Sequence, residues 1–277
     1  MVRTHPEGVH ASREPLQFGA ELYGHAGLEA DLEVQQLAID CLRLAGVGGA
    51  ALDLSDNRIV RGVLSGLLLG PQDMEAILDA IASKDAGELR LLTRDCNPAQ
   101  REAILVLPEL YGDAEVLEEA RRTLPKHALI HGALDDLRLL ARHHARQGVH
   151  VQIDLADMRG YRYHSGVIFS LYAPGYANAV ARGGRYDEVG ASFGRPRPAT
   201  GFSMDLREVA SFAPAPPLSG AIRAAWSDAP GLAQAVADLR QRGEIVVQLP
   251  VDAVREATQF DRELVQLDGA WMVRPLF

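Results

Sequence analysis

The chain has 277 residues, 47% of them hydrophobic, and carries 28 Lys+Arg against 37 Asp+Glu for a formal net charge of −9. That is enough apolar material for one large domain, or one with a smaller companion. The acidic balance excludes a broad electrostatic footprint for nucleic acid, which binds by phosphate neutralisation, and no apolar run reaches the roughly 18 residues of a membrane span.

Residues 14–24 read as a short strand flanked by polar loop. A helix follows from Glu29 to about Ala45, with Leu32, Leu37, Cys41 and Leu44 approximating one apolar face and Gly46 as its stop. Cys41 on that stripe is expected as a small buried hydrophobe, and neither it nor Cys96 has metal-ligand spacing. Ala50–Leu54 reads as a strand. Residues 57–147 are dominated by helical patterns and predict a mostly helical insertion. Pro71 and Pro98 stand at helix starts, and Leu134, Leu137, Leu140 and Ala141 give a clear face on a helix ending near Gly148. Gly62, Gly66 and Gly70, four residues apart, suit close helix packing. His143 and His144 with Arg142 and Arg146 read as a solvated helix end favoured by the macrodipole.

Strand character returns at His150–Leu155, where apolar and polar residues alternate, and continues through Gly166–Tyr172 and Ala177–Ala181, with a hairpin turn at Pro174-Gly175. Arg195 and Arg197 flank Pro196 in a loop that reads as exposed. Gly201–Met204 is a further strand leading into a helix from about Asp205. The pattern predicts an α+β core over residues 1–212, an antiparallel sheet with helices attached. Ser211–Gly220, with Pro214, Pro216 and Pro217, reads as a linker. Ala221–Trp226 (strand), Leu232–Arg240 (helix), Glu244–Leu249 (strand) and Leu264–Val273 (a strand pair turning at Asp268-Gly269) predict a small α/β unit over 221–277, with Trp226 and Trp271 as its core anchors.

Four short blocks carry the chemistry. They are Arg13-Glu14-Pro15-Leu16-Gln17-Phe18-Gly19-Ala20-Glu21-Leu22-Tyr23-Gly24, then Arg159-Gly160-Tyr161-Arg162-Tyr163-His164, then Arg182-Gly183-Gly184-Arg185-Tyr186-Asp187, then Pro198-Ala199-Thr200-Gly201-Phe202-Ser203-Met204-Asp205-Leu206. Singly each is weak: a Gln/Glu pair on a strand also reads as a solvated edge, and Gly-Gly-Arg as a turn. In this order they resemble the catalytic core of histidyl-tRNA synthetases. The wording fits better a synthetase-like family of histidine biosynthesis, the regulatory subunits of ATP phosphoribosyltransferase.

The resemblance implies a class II aminoacyl-tRNA synthetase-like sheet and a site for free histidine. Such a ligand needs acceptors for its ammonium, a cation or backbone donors for its carboxylate, and a directional polar partner for its ring. The resemblance carries amino-acid contacts onto Gln17 and Glu21, which at four-residue spacing share one strand face. It puts Arg159 beside the ligand carboxylate, Tyr163 (likewise four residues on) and His164 near the imidazole, and Gly183 to Asp187 as the adjoining wall. Gly183 and Gly184 there let backbone approach closely. His164 replaces the family's second Tyr, and Arg162 replaces its Asp, reading as outward-facing on the opposite strand face.

The ATP side departs from the synthetase pattern. Arg3 is the candidate motif 2 arginine, but His5 stands two positions on where the synthetases carry Glu. Glu208, in Asp205-Leu206-Arg207-Glu208, holds the place of the phosphate-binding arginine. Reversing a charge about 4 Å from a phosphate turns an attraction of roughly 4 kcal/mol into a repulsion. The resemblance therefore implies a non-catalytic regulatory subunit without catalytic residues, cofactor or metal. Its implied partners are L-histidine and the short-form catalytic subunit of ATP phosphoribosyltransferase, in the first step of histidine biosynthesis and its feedback. The alternative is a fragment of a histidyl-tRNA synthetase. Self-association is expected of the full-length form; membrane and tRNA binding are not. The opening residues match the middle of motif 2, so the segment with motif 1 is expected to be missing here. Arg3, His5 and Glu7 do not fit a signal peptide, and a cytoplasmic setting is expected.

Overall fold

Alternating and continuous apolar runs build a seven-stranded, mostly antiparallel sheet in the first part of the chain. The computed structural model describes residues 16–212, 220–250 and 260–276, the side chains at 192 and 193 aside. The chain divides into two compact units, Met1–Ala213 and Pro214–Phe277. The expected linker meets this division, although residues 213–219 lie outside the described residues.

In the first unit the order is β1 (Gln17–Tyr23), α1 (Leu28–Leu44), β2 (Ala51–Asp56), α2 (Asn57–Leu64), α3 (Pro71–Ala82), α4 (Ala86–Leu92), α5 (Pro98–Val106), β3 (Tyr111–Gly112), α6 (Val116–Thr123) and α7 (Ala128–Arg146). There follow β4 (His150–Asp154), β5 (Val167–Tyr172), β6 (Ala179–Arg185), β7 (Ala199–Asp205) and α8 (Leu206–Ala210). The sheet runs β1-β7-β6-β5-β2-β4-β3, antiparallel throughout except for β2 with β4. The insertion between β2 and β4 is helical, as its patterns predict, apart from the two-residue β3. Pro71 and Pro98 open α3 and α5, as expected, and Asp56, Asp85 and Asn97 each accept a backbone N–H as N-caps of α2, α4 and α5. Gly62 is indispensable to packing, since a Cβ there would lie 2.6 Å from Ile130 Cγ1 of α7. Gly66 instead follows the end of α2 at φ +80° and Gly70 caps α3, so the three glycines serve different ends.

The buried face of α1 corrects the sequence reading. Val34, Ala38, Ile39 and Leu42 are buried, whereas Leu37 and Leu44 are 44% and 89% exposed and Leu32 and Cys41 are half-buried. This helix is apolar on more than one side, so periodicity offered two stripes. The smaller and β-branched one lies in the core. A second correction concerns His144, which is fully buried on α7 with Nε2 2.8 Å from Gln35 Oε1 of α1. His143 stays exposed.

The second unit has β8 (Ala221–Ala225), α9 (Leu232–Gln241), β9 (Val246–Leu249), β10 (Phe260–Leu267) and β11 (Ala270–Pro275), in sheet order β11-β10-β8-β9. Asp268 and Gly269, at φ +48° and +85°, make the tight turn of the β10–β11 hairpin. Ile222, Ala224, Leu232, Val236, Val246 and Leu264 form its core. Trp271 packs against that core and donates Nε1–H to Pro230 O at 3.0 Å, but Trp226 is 65% exposed and anchors nothing. It follows the end of the inner strand β8, where the chain passes into a loop and apolar character alone gives no burial.

Candidate functional site

The two faces of the first sheet are unlike. One carries Phe202, Met204, Ala181, Phe169, Leu171, Leu52 and Leu54 in the core, with α1 and α7 packed in the same apolar cluster. The other is polar. Directly opposed residues share a face, so Ile168, Gly184, Gly201 and Glu21 form one row across β5, β6, β7 and β1. Ser170, Arg182, Ser203 and Gly19 form the next row on that face, and Gln17 lies opposite Asp205 in the row beyond. Gln17 and Glu21 thus share a face, as their spacing predicts, about 13 Å apart along the strand.

Residues 159–164 form a compact turn above this face. Gly160 takes φ +66°, and the amides of Tyr163 and His164 both donate to its carbonyl at 2.8 Å. Asn57 Nδ2 and Arg61 Nη2 each donate to the His164 carbonyl at 3.0 Å, which fixes the turn to α2. Arg159 and Tyr163 are therefore not on a strand: a positive-φ glycine within the block breaks any period-2 reading. Arg162 leaves the site and pairs with Glu75.

Four aromatic rings gather around Glu21. Tyr163 stacks on Tyr186 at 4.9 Å, His164 stands edge-on to Tyr163 at 5.1 Å, and Tyr23 stands edge-on to Tyr186 at 6.4 Å. The Tyr23 hydroxyl donates to Glu21 Oε2 at 2.5 Å. His164 Nδ1 and the Tyr186 hydroxyl are buried without a hydrogen-bond partner. These orphan atoms lie over neighbouring points of the sheet. A Cβ on Gly184 would be 2.9 Å from His164 Nδ1, and one on Gly201 would be 3.1 Å from the Tyr186 hydroxyl. Buried polar atoms are nearly always satisfied, so this pair suits a small polar ligand seated over the two glycines. Burial pushes the His164 imidazole below its ordinary pKa, which keeps the ring neutral. Burial above all, then Tyr23 and Glu21, push the Tyr186 hydroxyl up, so it stays a neutral donor and acceptor. Tyr186 lies within the stretch expected as the adjoining wall, but a chain reading does not reveal that its ring reaches Tyr163.

Arg159 is paired, with 43% of its side chain still exposed. Its Nε and Nη2 donate to both oxygens of Asp157, and Nη1 donates to the Tyr172 hydroxyl at 2.5 Å. Nearby Asp53 is pushed up by burial and drawn back by Arg159. The two glycines divide their roles, as consecutive strand residues must. Gly184 faces the aromatic cluster. Gly183 faces the core, where a Cβ would meet Gly201 O at 2.3 Å and the Phe169 ring at 2.6 Å. Gly183→Ala is accordingly expected to cost about 1–3 kcal/mol of stability by overpacking, in urea denaturation. Arg185 turns to the core side and pairs with buried Asp31 of α1.

Glu208, at the place the synthetase pattern gives to an arginine, sits half-buried in α8, whose N-terminus Asp205 caps by accepting from the Arg207 amide at 2.9 Å. Arg3 lies outside the described residues. Among the described residues no helix is long and apolar enough to cross a membrane, and no group of three or more His, Cys, Asp or Glu is arranged to hold a metal.

The comparisons with known proteins agree along the chain. Residues 1–209 match the histidyl-tRNA synthetase family model, and residues 219–274 match that of the ATP phosphoribosyltransferase subunit HisZ C-terminal domain. The ATP phosphoribosyltransferase regulatory subunits of Acidovorax sp. (strain JS42) and Variovorax paradoxus (strain S110) are each 50% identical to this chain, covering 100% of it and 72% of their own length. Among solved structures, an ATP phosphoribosyltransferase regulatory subunit/histidyl-tRNA synthetase from Bacillus halodurans superposes with TM-score 0.70 at 24% identity, over 87% of this chain and 64% of that one. The ATP phosphoribosyl transferase (HisG:HisZ) complex from Thermotoga maritima superposes with TM-score 0.56 at 20% identity, over 69% of this chain and 66% of that one. These two likenesses show the fold, an α+β sheet of the synthetase type, and this chain spans just under two thirds of each solved chain.

Proposed function

This chain belongs to the ATP phosphoribosyltransferase regulatory subunits, a histidyl-tRNA synthetase-like family, and on that premise we propose that it binds L-histidine and the short-form catalytic subunit. In this reading it supports the first step of histidine biosynthesis and passes histidine feedback to the catalytic subunit. The observation that carries it is the 50% identity to regulatory subunits over the whole chain. The match of residues 219–274 to a HisZ domain favours it over a synthetase fragment. Residues 1–212 serve as the effector-binding core and 221–277 as a separate C-terminal unit. The subunit self-associates within the assembly. It works in the cytoplasm, a setting that suits its free, half-buried Cys41 and Cys96.

The site chemistry supports an amino-acid effector. Glu21 receives the imidazole N–H, the neutral His164 and Tyr186 supply the remaining ring contacts, Tyr163 covers the ring face, and Gln17 lies toward the ammonium end. The subunit contributes no catalytic residue. Glu208 would repel the phosphates that adenylate formation has to stabilise, so histidine is read and not activated.

Reconstitution with a purified short-form catalytic subunit tests this. A stable complex should form in sedimentation velocity, and histidine should lower its transferase activity. A site coupling of about 1–3 kcal/mol corresponds to a 5- to 150-fold effect. Glu21→Ala is expected to weaken histidine binding by about 10- to 100-fold in calorimetry, the value of a charge-assisted hydrogen bond, and to leave assembly intact. Histidine-dependent pyrophosphate exchange by the chain alone would establish the synthetase reading instead.

A further inference from the structure

The helical insertion gathers positive charge that the sheet site does not use. A cavity of about 460 Å³ along α4 and α5 is lined by Arg90, Arg94 and Arg101, by Glu102 and Glu109, and by apolar residues such as Leu105. Arg90 belongs to α4, Arg101 and Glu102 to α5, and Glu109 to the short 3-10 turn that follows it. In a chain of net charge −9, three guanidinium groups on one concavity reverse the field locally.

The fold itself leaves these charges largely unengaged. Arg94 pairs with its neighbour Asp95 at 3.1 Å, and with 73% and 90% of the two side chains exposed that pair holds the arginine weakly. The guanidinium groups of Arg90 and Arg101 make no hydrogen bond or ion pair among the described residues, and neither do the carboxylates of Glu102 and Glu109. Arg101 Nε is in addition buried without a partner, a condition in which buried polar atoms are rarely left. Opposite charges that line one cavity without closing on each other leave room for a molecule that answers to both.

The volume is that of a small-metabolite pocket. Guanidinium forks match the oxygens of a phosphate and hold it by parallel hydrogen bonds. Ionised carboxylates accept and never donate, so the two glutamates suit hydroxyl groups and repel a second anion. We propose that this cavity binds a phosphorylated sugar, with its phosphate on Arg90, Arg94 and Arg101 and its hydroxyls on Glu102 and Glu109. None of these residues belongs to the ring cluster around Glu21, so the site stands independently of the histidine reading.

Calorimetry on the full chain at about 0.15 M salt, where exposed charges are largely screened, tests the assignment. The probes are ribose 5-phosphate, glucose 6-phosphate, the two free sugars, inorganic phosphate and sulfate. At least one sugar phosphate should bind saturably, one per chain, and about tenfold or more tighter than inorganic phosphate or sulfate; its free sugar should not bind saturably. Arg90→Ala and Arg101→Ala should each weaken it by about tenfold or more, the value of a charge-assisted hydrogen bond. Arg90 is exposed and makes no contact that the fold needs, so Arg90→Ala should keep the wild-type unfolding temperature and carries the test should Arg101→Ala fail to fold. Glu102→Gln should narrow the preference for the sugar phosphate over inorganic phosphate. Absence of saturable binding by both sugar phosphates, equal binding of sulfate, or indifference to Arg90→Ala overturns the assignment. Tighter binding of a ribo-oligonucleotide than of either sugar phosphate also overturns it, by making the cluster a nucleic-acid contact.

Discussion

Arg185→Ala is expected to destabilise the first unit by about 3–5 kcal/mol, the loss typical when one partner of a buried ion pair is removed. Arg185 and Asp31 keep only 9% and 3% of their side-chain surface exposed, with Nη2 to Oδ2 at 2.8 Å and Nε to the same oxygen at 3.0 Å. The remaining donors reach the carbonyls of His25 and Gly27, at 3.2 and 3.1 Å, and Asp187 Oδ1 at 3.2 Å. One guanidinium thus joins β6, the β1–α1 loop and the start of α1. Burial raises the Asp31 pKa more than Arg185 lowers it, so taking the carboxylate out of water costs more than the guanidinium returns. The pair is therefore not a net stabiliser, yet breaking it is costly because it leaves a buried charge without its partner. Arg185→Met combined with Asp31→Leu should lose less than Arg185→Ala alone, measured as urea midpoints at constant m. Because the Asp187 amide donates to Ser165 Oγ at 2.9 Å beside the site turn, the single variant should also weaken ligand binding.

The second large effect is acid sensitivity centred on His144. Burial first, then electrostatic repulsion from the His143 and Arg43 side, lower its pKa from 6.5 to about 4. The folded state therefore requires the neutral ring, while the unfolded chain takes up a proton below about pH 6.5. The stabilisation is complete above pH 6.5 and is lost as pH falls towards 4. A drop of that size corresponds to about 3 kcal/mol. Denaturation from pH 7 to pH 4.5 should show that loss in wild type. His144→Gln, which does not titrate, should flatten the dependence across the window, although it is less stable at pH 7. An unchanged slope would locate the acid sensitivity elsewhere.

Much of this architecture was readable from residue pattern. The helical insertion, the β10–β11 turn at Asp268-Gly269 and the common face of Gln17 and Glu21 follow from local rules of period, capping and turn chemistry. What escaped depends on partners distant in the chain. Nothing near His144 indicates that Gln35, over a hundred residues earlier, meets it in the core. The α1 stripe of Leu37 and Leu44 obeys helical period as well as the buried stripe does, and only the sheet beneath chooses between them. In the candidate site, the blocks are segments that the fold brings to one face of the sheet, but the Gly160 turn, the inward face of Gly183 and the pairing of Arg159 with Asp157 are tertiary facts.

The chain's two tryptophans, Trp226 and Trp271, both fall in the second unit, and the rings around Glu21 are tyrosine and histidine. Indole emission thus reports on the C-terminal unit, with exposed Trp226 as a quenchable probe and Trp271 as the one that shifts when its unit melts. Events at the ring cluster around Glu21 perturb tyrosine absorbance instead, so one cuvette separates the two units spectroscopically without any label.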